Sequence, residues 1–278
     1  SESAYAVTVW DWRPVVWLAG VSKTFFTGTV NEKTALNEVD LHLEPGDFVT
    51  VIGSNGAGKS TLLNIIAGRL KSDKGTVNIN GENVAGMAEH ERARYIGRVF
   101  QDPMAGTSPS MTIEENLSLA YRRGRKRTLR LGVTKQKRDF FREHLSLLEL
   151  GLEDRLKSKV GLLSGGQRQA LSLLMATFTQ PQILLLDEHT AALDPKRAAL
   201  ITQLTRDIVA KFSLTTLMVT HNMAQALELG NRLIMMHEGQ IILDIPPDRK
   251  KTMHTDDLLR AFEEVKGEAF NEDRYVLQ

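Results

Sequence analysis

Three short stretches of this chain carry residue types that handle phosphate and water. The first, Gly53-Ser54-Asn55-Gly56-Ala57-Gly58-Lys59-Ser60, satisfies the pattern G-x-x-x-x-G-K-[ST]. Glycines let the backbone curl so that several N–H groups converge on an anion at a helix N-terminus, where the dipole favours negative charge. A lysine at this spacing reaches the β- and γ-phosphates of a nucleotide, and the following hydroxyl is placed to ligate Mg²⁺. The second stretch is an apolar run, 183–186, that ends in Asp187 and Glu188. Asp187 at a strand tip can hold the Mg²⁺ shell, and Glu188 then projects where a carboxylate orients or deprotonates an attacking water. The third, Ser164-Gly165-Gly166-Gln167, offers a hydroxyl and bare N–H groups at a helix start, a second anion site. Alone, each has a plainer reading: a Gly-rich turn, a strand leaving the core through two acids, a Ser N-cap. Their joint presence favours chemistry.

The elements that must position these residues follow from apolar runs and turn signals. Strands are expected at 15–18, 41–43, 48–52, 77–79, 95–100, 183–186, 214–219 and 233–236. Helices are expected at 59–69, 140–150, 196–212, 223–229 and 256–265, with Gly151 able to stop the second of these. Thr112 with Glu115 three residues on reads as a helix N-cap. The runs 233–237 and 240–243 around Glu238-Gly239 read as a hairpin. The phosphate loop thus sits between a strand and a helix, the context its pattern requires. The pattern is α/β, interrupted by a helical insertion and then resumed.

On these motifs the chain resembles the ATP-binding cassette ATPases, whose signature is Leu163-Ser164-Gly165-Gly166-Gln167. The resemblance runs from about Val15 to Asp244 and includes weaker motifs in the family order. Gln101 looks like the glutamine that senses the γ-phosphate and joins the helical subdomain. Ala192-Leu193-Asp194 looks like the cross-dimer loop, His221 like the switch histidine, and Phe25 like the aromatic on adenine, with Phe26 as its neighbouring alternative. The resemblance implies a P-loop NTPase core of mixed sheet and flanking helices, an antiparallel β subdomain and an inserted α-helical subdomain. It implies a 1–14 extension, a first core part at 15–101, a signature subdomain at 102–168, a second core part at 169–245 and a 246–278 tail. ATP contacts are then expected from Phe25, Ser54, Asn55, Gly56, Ala57, Gly58, Lys59, Ser60 and Thr61. Others come across a dimer from Ser164, Gly165, Gly166, Gln167 and Asp194, with Mg²⁺ held by Ser60, Gln101 and Asp187. Glu188, His221, Lys59 and Gln101 carry hydrolysis.

The implied partners are membrane-spanning permease subunits, a second copy of the chain and an extracytoplasmic substrate-binding protein, at the cytoplasmic face of the cell membrane. Import of a small organic solute such as an amino acid is the favoured reading. An exporter subunit and a soluble cassette acting on nucleic acid or ribosome are the alternatives. Net charge is +1 over 278 residues, which points to no nucleic-acid partner. There is no cysteine, so disulfides, thiolate catalysis and Cys-based zinc sites are excluded. No apolar stretch approaches the ~18 residues that span a bilayer, and the opening residues lack a secretory pattern, so a cytosolic chain is expected.

Two positions depart from the family pattern. His189 stands where Pro usually follows the catalytic Glu, and Ala191 where Ser commonly precedes the cross-dimer loop. His189 either tunes the Glu188 carboxylate or is a tolerated turn substitution. The interval 116–138 holds nine Lys or Arg and no acid. It reads as a solvated helical face, with contact to anionic lipid or a partner's acidic loop as the sharper alternative. Trp10, Trp12 and Trp17 make an aromatic N-terminal stretch of open role.

Overall fold

The helix that follows the phosphate loop is clamped between two sheets, and the rest of the fold follows from covering their outer faces. A computed structural model describes residues 13–123 and 135–276, with 268–276 described as backbone alone. Strands β1 (Val16–Phe25) and β2 (Lys33–Leu43) form an antiparallel pair. After β3 (Phe48–Gly53) comes helix α1 (Lys59–Ala67). Then β4 (Lys74–Ile79) and β5 (Glu82–Asn83) complete a four-stranded sheet in the order β2-β1-β4-β5. Short α2 (Glu89–Arg92) leads into β6 (Ile96–Val99). The inserted helices are α3 (Ile113–Arg122) and α4 (Lys135–Ser146), and α5 (Gly165–Thr177) returns the chain to the sheet.

Next come β7 (Ile183–Asp187), α6 (Pro195–Phe212), β8 (Thr216–Val219) and α7 (Met223–Glu228). The hairpin β9 (Arg232–His237) and β10 (Gln240–Ile245), then α8 (Pro247–Lys250) and α9 (Thr255–Val276), close the chain. The large sheet runs β10-β9-β3-β8-β7-β6, parallel except for β10. Both its faces are covered, and this explains the unbroken apolar run before Asp187. Ile183 and Leu185 pack toward Leu62, Leu63 and the small sheet, while Leu184 and Leu186 pack toward α3, α4 and α5. The α/β core with an antiparallel subdomain and an inserted helical one matches the expected fold.

Differences in the bounds have physical causes. Strands β1 and β2 extend well beyond 15–18 and 41–43, because they belong to an antiparallel sheet with an exposed face. Their polar residues break the apolar run without breaking the ladder. The second helix ends at Ser146 rather than running 140–150; Glu149 takes φ 54° and the chain turns before Gly151. Leu148 is buried from that turn, which mimicked continued helical spacing. Helix α5 is unbroken from Gly165 to Thr177, so the signature and the second core part share one element. At the β9–β10 hairpin both Glu238 and Gly239 have positive φ, the type I′ geometry whose twist matches the strands. Residues 124–134, including much of the basic interval, and Trp10 and Trp12 lie outside the described residues; Trp17 is half-exposed on β1.

Candidate functional site

The phosphate loop is held open by backbone that only glycine adopts without strain. Gly58 sits at φ 103°, and a Cβ there would lie 2.5 Å from the Ala35 carbonyl oxygen. Lys59, the first residue of α1, is 6% exposed, and its ammonium donates to the Gly53 carbonyl at 2.5 Å. Burial holds the Lys59 pKa below its ordinary value, and the carboxylates of Glu188 and Asp187 pull it back up. Ser60 and Thr61 follow in the first turn of α1, exposed and half-buried respectively.

The parallel pairing of β7 with β8 sets Asp187 opposite Val219 and brings the next loops together. Glu188 has φ 47°, and its N–H donates to the Val219 carbonyl at 2.9 Å. Its Oε1 lies 3.1 Å from His221 Nδ1 and 3.9 Å from Lys59 Nζ. Glu188, His221, Ser54 and Asn55 line a pocket of about 480 Å³ whose other walls are Ile52, Gly53, Met223, Met235 and Phe262. Asp187 stands behind them, its pKa raised by burial and restrained by Arg98, whose Nη2 is 3.5 Å from Oδ2. Arg98 in turn donates to Asn64 Oδ1 on α1 at 2.8 Å, tying strand β6 to the helix that carries Lys59.

The remaining predicted residues lie elsewhere. Gln101 is exposed just past β6 and lines no wall of that pocket. Phe25 ends β1, with the Lys23 ammonium 5.5 Å from its ring centroid, and Phe26 is 69% exposed beside it. Ser164 caps α5 by accepting from the Gln167 N–H at 3.2 Å, while the Gln167 side chain accepts from the Ser164 N–H at 3.0 Å. Asp194 caps α6, accepting from the Arg197 N–H at 3.0 Å, and that bond lowers its pKa. Signature and cross-dimer segments are neighbours: a Cβ on Gly165 would lie 3.6 Å from Leu193 Cδ2. None of Ser164, Gly165, Gly166 or Gln167 lines the pocket of Glu188 and His221. One chain therefore divides the candidate phosphate-binding groups between two places.

Of the two readings open for His189, tuning of Glu188 and a turn substitution, the contacts support the second. His189 does not engage Glu188: its ring is 1% exposed and its Nε2 lies 2.8 Å from Thr205 Oγ1 on α6. Burial pushes its pKa down to about 4, so it is neutral at ordinary pH.

Comparison with known proteins settles the family. Residues 36–191 match the family model described as ABC transporter. The chain belongs to the ATP-binding cassette (ABC) transporter family. It is 44% identical over 246 residues to the tyrosine transport ATP-binding protein of Clostridioides difficile, covering 88% of this chain and 98% of that one. It is 34% identical over 256 residues to the methionine import ATP-binding protein of Streptomyces avermitilis, covering 88% and 71%. Against a dimeric ATP-binding cassette in a post-hydrolysis state with ADP and Pi the TM-score is 0.70 at 31% identity, covering 83% and 98%. The chain is thus an ABC ATPase, the ATP-binding and ATP-hydrolysing subunit of a transporter. Among the described residues no helix is long and apolar enough to cross a membrane.

Sequence reasoning missed Arg98, Lys33 and Gln169. Lys33 pairs with Phe25 across β1 and β2, and a Cβ on Gly56 would lie 2.8 Å from its ammonium nitrogen. Only the register of the small sheet reveals this approach. Arg98 gains meaning only through the β6–β7 pairing, and Gln169 only through the packing of α5.

Proposed function

We propose that two copies of this ABC ATPase clasp two ATP molecules and drive import of a small organic solute, an amino acid being the favoured class, through separate permease subunits. The observation that carries the reading is the convergence of Lys59, Glu188 and His221 at the Ser54–Asn55 end of the phosphate loop. Ser54, Asn55, Gly56, Ala57, Gly58, Lys59, Ser60 and Thr61 hold the phosphates, and Phe25 supports the base. Glu188 takes or orients the proton of the attacking water, while Lys59 and His221 stabilise the charge that develops on the phosphoryl oxygens. Gln101 sits at the junction with the helical subdomain, where it reports the γ-phosphate.

Ser60, Asp187 and Gln101 offer hard oxygen donors, and no cluster of three acidic or His side chains occurs among the described residues. That set suits a cation held by one or two protein oxygens plus substrate phosphate. Mg²⁺ bound there would supply charge neutralisation on the β- and γ-phosphates.

The second copy is needed because Ser164, Gly165, Gly166, Gln167 and Asp194 stand away from the pocket they are expected to complete. Names of the relatives support the cargo: one is a tyrosine transport subunit and another a methionine import subunit. A substrate-binding protein outside the cell would deliver such a solute, and the ATPase would lie on the cytoplasmic face. For the permease we assign the cleft between β6 and α5, about 170 Å³, with Arg98, Phe100, Gly106, Ser172 and Met175 among its walls.

Glu188→Gln tests the proposal. Steady-state ATPase activity should fall by at least about 100-fold, while an ATP-dependent dimer accumulates in size-exclusion chromatography. Wild-type turnover by that variant would refute the assignment of the base.

A further inference from the structure

We infer that Gln169 is a positioning residue, holding in one grip the backbone that precedes Gln101 and the backbone that follows Glu188. The inference rests on the catalytic roles proposed above for those two side chains. Gln169 lies on the second turn of α5, five residues beyond Ser164, and is 1% exposed. Its Nε2 donates to the Phe100 carbonyl at 2.8 Å and to the His189 carbonyl at 2.6 Å. Phe100 is the residue before Gln101, and His189 is the residue after Glu188. Both protons of one amide are thereby spent on two strand ends that must stay in register for water attack.

The neighbouring contacts make this a junction rather than an isolated bond. His189 is pinned from its other side by its ring, Nε2 to Thr205 Oγ1 at 2.8 Å, and Thr205 itself donates to the Ile201 carbonyl at 2.7 Å. Helix α6, which begins just past Asp194, therefore reaches the same peptide that α5 grips. Arg168, one residue before Gln169 and 1% exposed, donates to Thr107 Oγ1 at 3.0 Å and so anchors the segment beyond Gln101 to the same helix. The Gln169 carbonyl oxygen, by contrast, is buried with no hydrogen-bond partner. A residue kept only for packing would be better served by an apolar side chain of the same volume, because a buried unpaired acceptor is destabilising. What the amide contributes is orientation.

The mechanical consequence is specific. When the signature end of α5 engages a nucleotide on the partner subunit, any tilt of the helix is transmitted to both carbonyls together. Glu188 and Gln101 then advance or retreat as a pair. A misplacement of the carboxylate of about 1 Å suffices to cost roughly 100-fold in rate.

Gln169→Met, which keeps length and removes both donors, tests the inference on purified full-length protein. We expect kcat to fall roughly 10–100-fold with KM for ATP within about twofold, the split expected when only transition-state geometry is lost. Introduced into Glu188→Gln, the same change should leave the ATP-dependent dimer intact by size exclusion. Should Gln169→Met fail to fold, Thr205→Val loosens the His189 peptide from the other side; it should lower kcat, and Thr205→Ser should restore it. Retention of kcat in folded Gln169→Met, a loss carried by KM, loss of the trapped dimer, or an inert Thr205→Val where Gln169→Met does not fold would each overturn the inference. Turnover surviving in Glu188→Gln would instead indict the catalytic reading, so the two failures are distinguishable.

Discussion

At the scale of single residues, burial changes what the His189 side chain can do. An unfolded histidine titrates near 6.5, whereas burial sets the folded value at about 4. The sign follows from proton counting: between those values the unfolded chain binds a proton that the folded chain refuses, so stability falls as pH drops. The contribution is intact above pH 6.5, is lost progressively below it, and levels off under pH 4. At pH 5 the loss from this one group is roughly 2 kcal/mol, taking about 1.4 kcal/mol per pKa unit. Urea unfolding of wild type and His189→Gln between pH 7 and pH 5 should show the wild type losing that much more. Parallel pH profiles would mean that His189 takes up its proton as readily in the folded chain as in the unfolded one. Lys59, Ser60, Asp187 and Glu188 were legible in the sequence because their geometry is local: a loop between strand and helix, an acid at a strand tip. Arg98 and Asp187 are 89 positions apart, and nothing short of the sheet order makes them neighbours.

At the scale of elements, the sequence was most informative where a cap or turn is written in adjacent residues. Thr112 and Glu115 form the reciprocal box expected of them, the Glu115 N–H donating to Thr112 Oγ1 at 3.1 Å and the Thr112 N–H to Glu115 Oε1 at 3.1 Å. The box starts α3, whose Ile113, Leu117 and Ala120 enter the core shared with α4 and α5. Thr112→Ala should cost about 1 kcal/mol, read as a lower urea midpoint at unchanged m-value, while Thr112→Ser or Thr112→Asp costs far less. Equal stability of all three would show that packing alone fixes the start of α3. Strand lengths were less legible. Polar positions on the exposed face of β1 and β2 carry no periodic signal strong enough to extend an apolar run, and β5 is too short to have one. The early end of α4 was hidden because Leu148 beyond the helix is as buried as Leu145 inside it.

At the scale of the whole molecule, one copy keeps its phosphate loop and its signature apart. Lys59 lies 3.9 Å from Glu188, but the signature serine and glycines open elsewhere, beside Leu193 and Arg197. A two-fold pairing that sets each loop against the other copy's signature would make both sites composite. Two separately inactive chains should then complement each other. Lys59→Ala removes the buried cation from one partner's loop. Gly166→Asp places a carboxylate in the other's signature, where a Cβ meets the Arg197 side chain at 3.1 Å, the flexible part of an exposed residue, so the fold should tolerate it. In the mixed dimer one site collects both lesions and the other collects none. With random pairing of equal amounts, half the dimers are mixed and each has one sound site, giving about a quarter of the wild-type sites. Mixing the two should raise ATPase activity from background toward that fraction, with a maximum at equal proportions. A flat response across mixing ratios, with both proteins folded and each inactive alone, would mean that every copy hydrolyses ATP with its own groups, and the divided placement of loop and signature would need another explanation.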